Sequence, residues 1–227
     1  MPTATTRLLS DMFDAMLVQL GPSGWWPANS PFEVIVGAIL TQNTNWSNVE
    51  KAIANLRRHD LLDPERLRQA RPEIVEACIR PSGFFRQKAK KIQNFLAFLH
   101  QEHATGMMDL AHLGTAELRE RLLEIKGIGP ETADSILLYA LDRPVFVVDA
   151  YTARICNRHG LVPEDVAYDE LQDLFVSHLP ERVEQYNEYH ALLVRVGKEW
   201  CRKREPRCAG CPLQPFLPRH SPPARTP

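Results

Sequence analysis

Residues 122–154 read LLEIKGIGPETADSILLYALDRPVFVVDAYTAR, and this stretch decides the fold. Leu118, Leu122 and Ile125 share one face of a helical pattern that stops at Gly127-Ile128-Gly129 and resumes at Pro130. The paired glycines allow a tight turn, and Pro130 sets the first dihedral of the next helix. Backbone N–H groups at such a helix start point outward and can hold a phosphate without reading a base. The same turn would also serve as a plain C-cap joining two packed helices. Further on, Asp149 closes the apolar run Val145, Phe146, Val147, Val148 and precedes a helical pattern over 150–159. Asp is a good N-cap, and a cap position keeps its carboxylate ionised. An ionised carboxylate can also stabilise positive charge that develops in a reaction, so capping and catalysis are compatible readings.

Outward from this stretch, helical signals dominate. Leu8, Leu9, Phe13, Met16, Leu17 and Leu20 repeat at helical spacing, and the run 32–40 is apolar enough for a buried helix. Asp63-Pro64-Glu65 and Arg71-Pro72-Glu73 read as helix starts with Pro at the first position. Ile92, Phe95, Leu96 and Leu99 line one face, and 183–200 forms a further helix. The one strand-like run, 145–148, is too short and isolated to build a sheet, so the chain is expected to be all-α. At 227 residues it holds one large domain or two small lobes. Apolar residues are 44% and charged residues 24%, a globular composition. No apolar run approaches the ~20 residues that span a bilayer, and the N-terminus lacks a signal-peptide pattern. The expected location is therefore cytoplasmic.

The net charge of −1 does not favour nucleic acid, but its distribution does. Arg80, Arg86, Lys88, Lys90 and Lys91 cluster without an acid between them, and Arg202, Lys203, Arg204 and Arg207 form a second group. Each is either a phosphate-binding patch or a solvated face. Trp25 and Trp26 lie in a Gly/Pro-rich loop. There they would stack on an extruded base, or cap a core. An electron-rich indole also attracts a cationic alkylated purine. Cys201, Cys208 and Cys211 give C-x6-C-x2-C beside the second basic group, whereas Cys78 and Cys156 fall in helical patterns as core thiols.

The glycine hairpin, the Gly/Pro-rich loop and Asp149 together resemble the helix-hairpin-helix motif of the endonuclease III superfamily of DNA glycosylases, over about residues 32–211. GWWP at 24–27, followed by FEVIVGAILTQNT, looks like the 3-methyladenine DNA glycosylases of the endonuclease III type. The resemblance implies a two-lobed fold. Residues 33–143 would form a six-helix barrel lobe with the hairpin. Residues 1–32 plus 144–211 would form the second lobe, with a possible iron–sulfur loop at 201–211 and a disordered tail over 212–227. Double-stranded DNA with a damaged base would lie across a cleft with Asp149 and Gln42 at its mouth. The protein would act as a monomer. Gln42 would wedge into the gap left by the extruded base, offsetting an unstacking cost of a few kcal/mol. Gly127, Gly129 and Lys126 would meet the DNA phosphate.

Two departures from the family pattern matter. In bifunctional members a lysine two residues after the second glycine is the nucleophile; here that position is Glu131. A carboxylate cannot form a Schiff base, which implies a monofunctional glycosylase that uses water. The family also binds a [4Fe-4S] cluster through C-x6-C-x2-C-x5-C, and the fourth position here is Leu217. The cluster is then held by three cysteines with an outside ligand or His220, or the motif is a relic. Two other functions compete: a glycosylase/AP lyase acting on oxidised pyrimidines, and a hairpin DNA-binding module without catalysis. Glu131 argues against the first, and Asp149 against the second.

Overall fold

The computed structural model describes residues 2–102, 110 and 112–218. Among the described residues the secondary structure is entirely helical, as the periodicity implies. None of these helices is long and apolar enough to cross a membrane. The chain divides into two compact units, one of residues 26–143 and one of residues 1–25 with 144–227.

The first unit contains α2 (Pro31–Thr41), α3 (Trp46–Arg58), α4 (Pro64–Gln69), α5 (Pro72–Ile79), α6 (Phe85–Glu102), α7 (Thr115–Glu124) and α8 (Pro130–Ser135). Ser30, Asn45 and Asp63 cap α2, α3 and α4 by accepting a hydrogen bond from the backbone N–H three residues on. α2 is the central element, with every residue from Phe32 to Leu40 buried. A helix apolar on all sides must be surrounded, and α3, α6 and α8 pack against it. α8 continues directly as a π-helical turn, Ile136–Ala140, whose five residues are all buried. Periodicity predicts ordinary helix to Tyr139; instead the wider turn packs against α2.

The second unit contains α1 (Ala4–Leu20), α9 (Ala150–Arg158), α10 (Tyr168–Val176) and α11 (Val183–Glu199). Its core is aromatic. Phe146 stacks on Phe175 with centroids 4.2 Å apart and meets Tyr186 and Tyr189 edge-on. The Tyr189 hydroxyl donates to Leu9 O at 2.9 Å, tying α11 to α1. The strand-like run 145–148 is an unpaired segment whose Phe146, Val147 and Val148 are buried in this core, delivering Asp149 to the start of α9. Part of the expected disordered tail is ordered. Leu213 is fully buried, and a 3-10 turn, Gln214–Phe216, comes after it. The rest of that tail, 219–227 with His220, lies outside the described residues.

Candidate functional site

In the residue 26–143 unit the hairpin is held from three sides. The Arg119 guanidinium of α7 makes a two-bond pair with the fully buried Asp134 of α8, at 2.7 and 3.1 Å. Asn94 of α6 donates to Lys126 O at 2.8 Å. Gln42, the C-cap of α2, donates through Nε2 to Gly127 O at 3.2 Å and to Thr132 Oγ1 at 2.8 Å. Its Oε1 accepts from Lys91 Nζ. Gln42 therefore fastens α2 to the hairpin, and a wedge role requires those bonds to be exchanged. Gly127 has φ +101, and a Cβ there would stand 2.5 Å from Lys91 Cγ. Only glycine meets both conditions. Gly129, the N-cap of α8, makes no side-chain cap bond and has open space around its Cα. Lys126 and Glu131 are exposed.

The basic run at 80–91 does not form one face. Lys88 is buried, its Nζ donating to Leu40 O at 2.8 Å and Ser82 O at 2.6 Å. Burial, with Lys91 nearby, brings its pKa down to about 8. Lys88 fixes the 80–84 loop to the end of α2. At the tip of that loop Phe84 is 59% exposed with φ +45. Sequence reasoning missed this residue, because the pattern does not reveal a phenylalanine held outward on a left-handed backbone.

The two tryptophans separate. Trp26 packs with Trp46 (4.9 Å, edge-on) and Tyr139 (5.2 Å), and its ring lies 3.1 Å from where a Cβ on Gly37 would stand. Trp26, Trp46, Glu33, Glu50 and Arg57 help line a cavity of about 270 Å³. Glu33 is buried and paired with Arg57 at 2.6 Å. Trp25 belongs to the other unit, where Lys198 Nζ stands 6.0 Å from its ring centroid.

In the second unit Asp149 is the N-cap of α9. Its Oδ1 accepts from Thr152 N at 2.8 Å and Thr152 Oγ1 at 3.0 Å. Its Oδ2 stands 3.6 Å from Nε2 of His190 on α11. Burial pushes this carboxyl up, but the His190 contact and charge, with the Thr152 donors, outweigh burial and hold it below the usual carboxylate range. His190 was not foreseen. Within the run Tyr189-His190-Ala191-Leu192-Leu193-Val194 a lone histidine reads as core, and only the fold sets it against a carboxylate.

Cys201, Cys208 and Cys211 border one cavity whose wall also includes Arg158, His159 and Leu217. Arg158 Nη1 donates to Cys201 Sγ at 3.2 Å. The ring nitrogens of His159 lie 2.8 Å from Ile155 O and 3.1 Å from Leu213 O, so the protein already engages both. Three thiols thus face a common space, and the fourth corner is aliphatic. Among the described residues no three His, Cys, Asp or Glu side chains gather closely enough for a single metal ion.

The family model for HhH-GPD superfamily base excision DNA repair proteins matches residues 36–181. A Methanocaldococcus jannaschii protein provisionally named a DNA repair glycosylase is 45% identical over 211 residues, 92% of this chain and 96% of that one. Endonuclease III of Thermotoga maritima is 30% identical, covering 84% of this chain and 82% of its own. The crystal structure of H. pylori 3-methyladenine DNA glycosylase (MagIII) bound to 1,N6-ethenoadenine superposes with a TM-score of 0.74. It is 30% identical, over 87% of this chain and 98% of that one.

Proposed function

The chain belongs to the HhH-GPD superfamily of base excision DNA repair proteins, and we propose that it is a monofunctional DNA glycosylase hydrolysing the N-glycosidic bond of an alkylated purine. The observation that carries this reading is Asp149, a carboxylate kept ionised at a helix start although largely buried. Such a group stabilises positive charge on the sugar as the base departs and orients the attacking water. An N-alkylated purine is already cationic and needs little acid catalysis to leave. The cavity beside Trp26 and Trp46, with Glu33, Glu50 and a single cation Arg57, suits a positively charged aromatic base. Trp25, in the other unit, offers an indole of its own for stacking.

Glu131 supports hydrolysis over β-elimination, because the start of α8 offers a carboxylate where a Schiff base would need an amine. Gly127, Gly129 and Lys126 bring backbone N–H groups and a cation to a DNA phosphate. Phe84, exposed on its clamped loop, enters the duplex to fill the space the base leaves, while Gln42 holds the hairpin and adds its amide where its bonds exchange.

Cys201, Cys208 and Cys211 would hold three corners of the family's [4Fe-4S] cluster, with the fourth ligand coming from outside the described residues. Bound by these cysteines, a cluster would brace the loop that carries Arg202, Lys203, Arg204 and Arg207. Protein purified anaerobically should absorb broadly near ~400 nm, and Cys208→Ser should remove that band.

Single-turnover base release across duplexes bearing alkylated, oxidised or mismatched bases tests the main reading. Release of 3-methyladenine, with no borohydride-trapped adduct on an abasic duplex, is the expected result. Efficient trapping, or release confined to oxidised pyrimidines, would overturn it.

A further inference from the structure

Asp149 has two oxygens in different surroundings. Oδ1 is used by its own helix, accepting the Thr152 N–H at 2.8 Å and the Thr152 hydroxyl at 3.0 Å. Oδ2 is the oxygen left for chemistry, and it is the one that faces His190 Nε2 at 3.6 Å. Both side chains are nearly covered, with 8% of the His190 side chain and 11% of the Asp149 side chain exposed. His190 lies on the buried face of α11 between Tyr189 and Ala191, and α11 packs directly on α9. A buried imidazole next to a carboxylate in a covered site acts through a short-range field little screened by water. The charged or titratable group acting on Asp149 is His190; the carboxylate's own helix contributes the uncharged Thr152.

We infer that His190 is a positioning residue for Asp149, orienting Oδ2 and holding the carboxylate as an anion when DNA covers the site. This rests on the proposed glycosylase reading of Asp149. Thr152 fixes the carboxylate at one oxygen only, so the group still turns about its side-chain bonds. His190 Nε2, 3.6 Å from Oδ2, supplies the second point of approach that defines the plane. It also opposes desolvation. Burial favours the neutral acid, and the His190 contact, with the Thr152 donors, opposes that shift. The histidine approaches from a different helix from the cap, so the tie also fixes where α9 begins relative to α11.

The test uses the full chain with His190→Gln, which keeps a side-chain N–H donor but cannot carry charge, and His190→Ala. His190→Asn stands in if glutamine is not tolerated. Single-turnover base release is followed against pH, alongside duplex affinity, thermal melting and a ¹³C NMR titration of the Asp149 carboxyl. Removing His190 should slow base release by ~10- to 100-fold near neutrality, the usual effect of losing a partner that orients a reacting group, with little change in duplex affinity. Glutamine should recover part of the rate that alanine loses. In both variants the acid limb of the rate profile and the carboxyl titration should move to higher pH, because burial then acts with less opposition. A folded His190→Gln protein with the wild-type rate, acid limb and carboxyl titration would overturn the inference. Wild-type protein that releases no base from any duplex would sink the glycosylase reading instead, while the carboxyl titration would still report on the His190 tie.

Discussion

The helices α8 and α9 begin in opposite ways. α8 starts at Gly129 and Pro130 with no side chain capping it, and a Cβ at Gly129 would meet nothing within 4 Å. α9 starts at Asp149, whose own carboxylate caps it. Both termini carry the same partial positive charge from aligned peptide dipoles. The first leaves that charge open to an anion from outside, the role proposed for a DNA phosphate. The second has filled its terminus with an anion of its own and presents the remaining oxygen. On the proposed reading one terminus binds and the other reacts, and the difference is one residue type at the N-cap.

The sharpest way to break this contrast is to neutralise the terminus proposed to react. Asp149→Asn should cut single-turnover base release on the order of 10²–10³, with duplex affinity retained, since Asn still caps a helix. A wild-type rate would reduce Asp149 to a cap. Next comes the turn that leads to the open terminus. Gly127→Ala places a side chain at φ +101 and against Lys91, and should cost ~1–3 kcal/mol, read as a lower melting temperature together with weaker duplex binding. Unchanged melting would show that the hairpin tolerates a different backbone.

Acid should act on the two termini differently. Asp149 has its carboxyl held below the ordinary range, so its contribution to stability is complete above the unfolded carboxylate pKa of ~3.9 and is lost as pH falls through the folded value. Denaturant titrations should therefore find the gap between wild type and Asp149→Asn at neutral pH and see it close in acid. The smallest effect is the most diagnostic. Gly129→Ser fits the extended dihedrals there, φ −103 and ψ 178, and would give α8 the cap it lacks. It should stabilise the protein by a few tenths of a kcal/mol yet weaken duplex binding, because the terminus is then occupied. A gain in both would mean that phosphate does not use this helix start.

Much of this architecture was legible in the residues. Pro64, Pro72 and Pro130 mark real helix starts, and the helices over 150–158 and 183–199 follow their apolar periodicity. Features set by partners distant in sequence were not legible. Lys88 looks like any cation in a basic run until Leu40 O and Ser82 O are brought to its Nζ. Val145 to Val148 alternates with nothing, because the core rather than a sheet receives it. The order at 213–216 depends on burying Leu213, which a proline-rich composition does not announce. Asp149 was readable as a cap from its position alone. Its tie to His190 was not, since the spacing between them is a property of α11 packing on α9.

Gln42 carries a consequence for how this protein can change over generations. Its single carboxamide is shared among Lys91 of α6 and Gly127 and Thr132 of the hairpin, two separate stretches of chain. Groups that share one partner do not contribute additively; their coupling is typically ~0.5–3 kcal/mol. Losing Lys91 leaves the Gln42 oxygen without its cation, and losing Gln42 leaves a cation, a carbonyl and a hydroxyl each seeking a new partner. A substitution harmful in one background is therefore nearly silent in another where the tie is already broken. Gln42, Lys91 and Thr132 are coupled through their side chains, whereas Gly127 enters the tie through a backbone carbonyl that any residue there would offer.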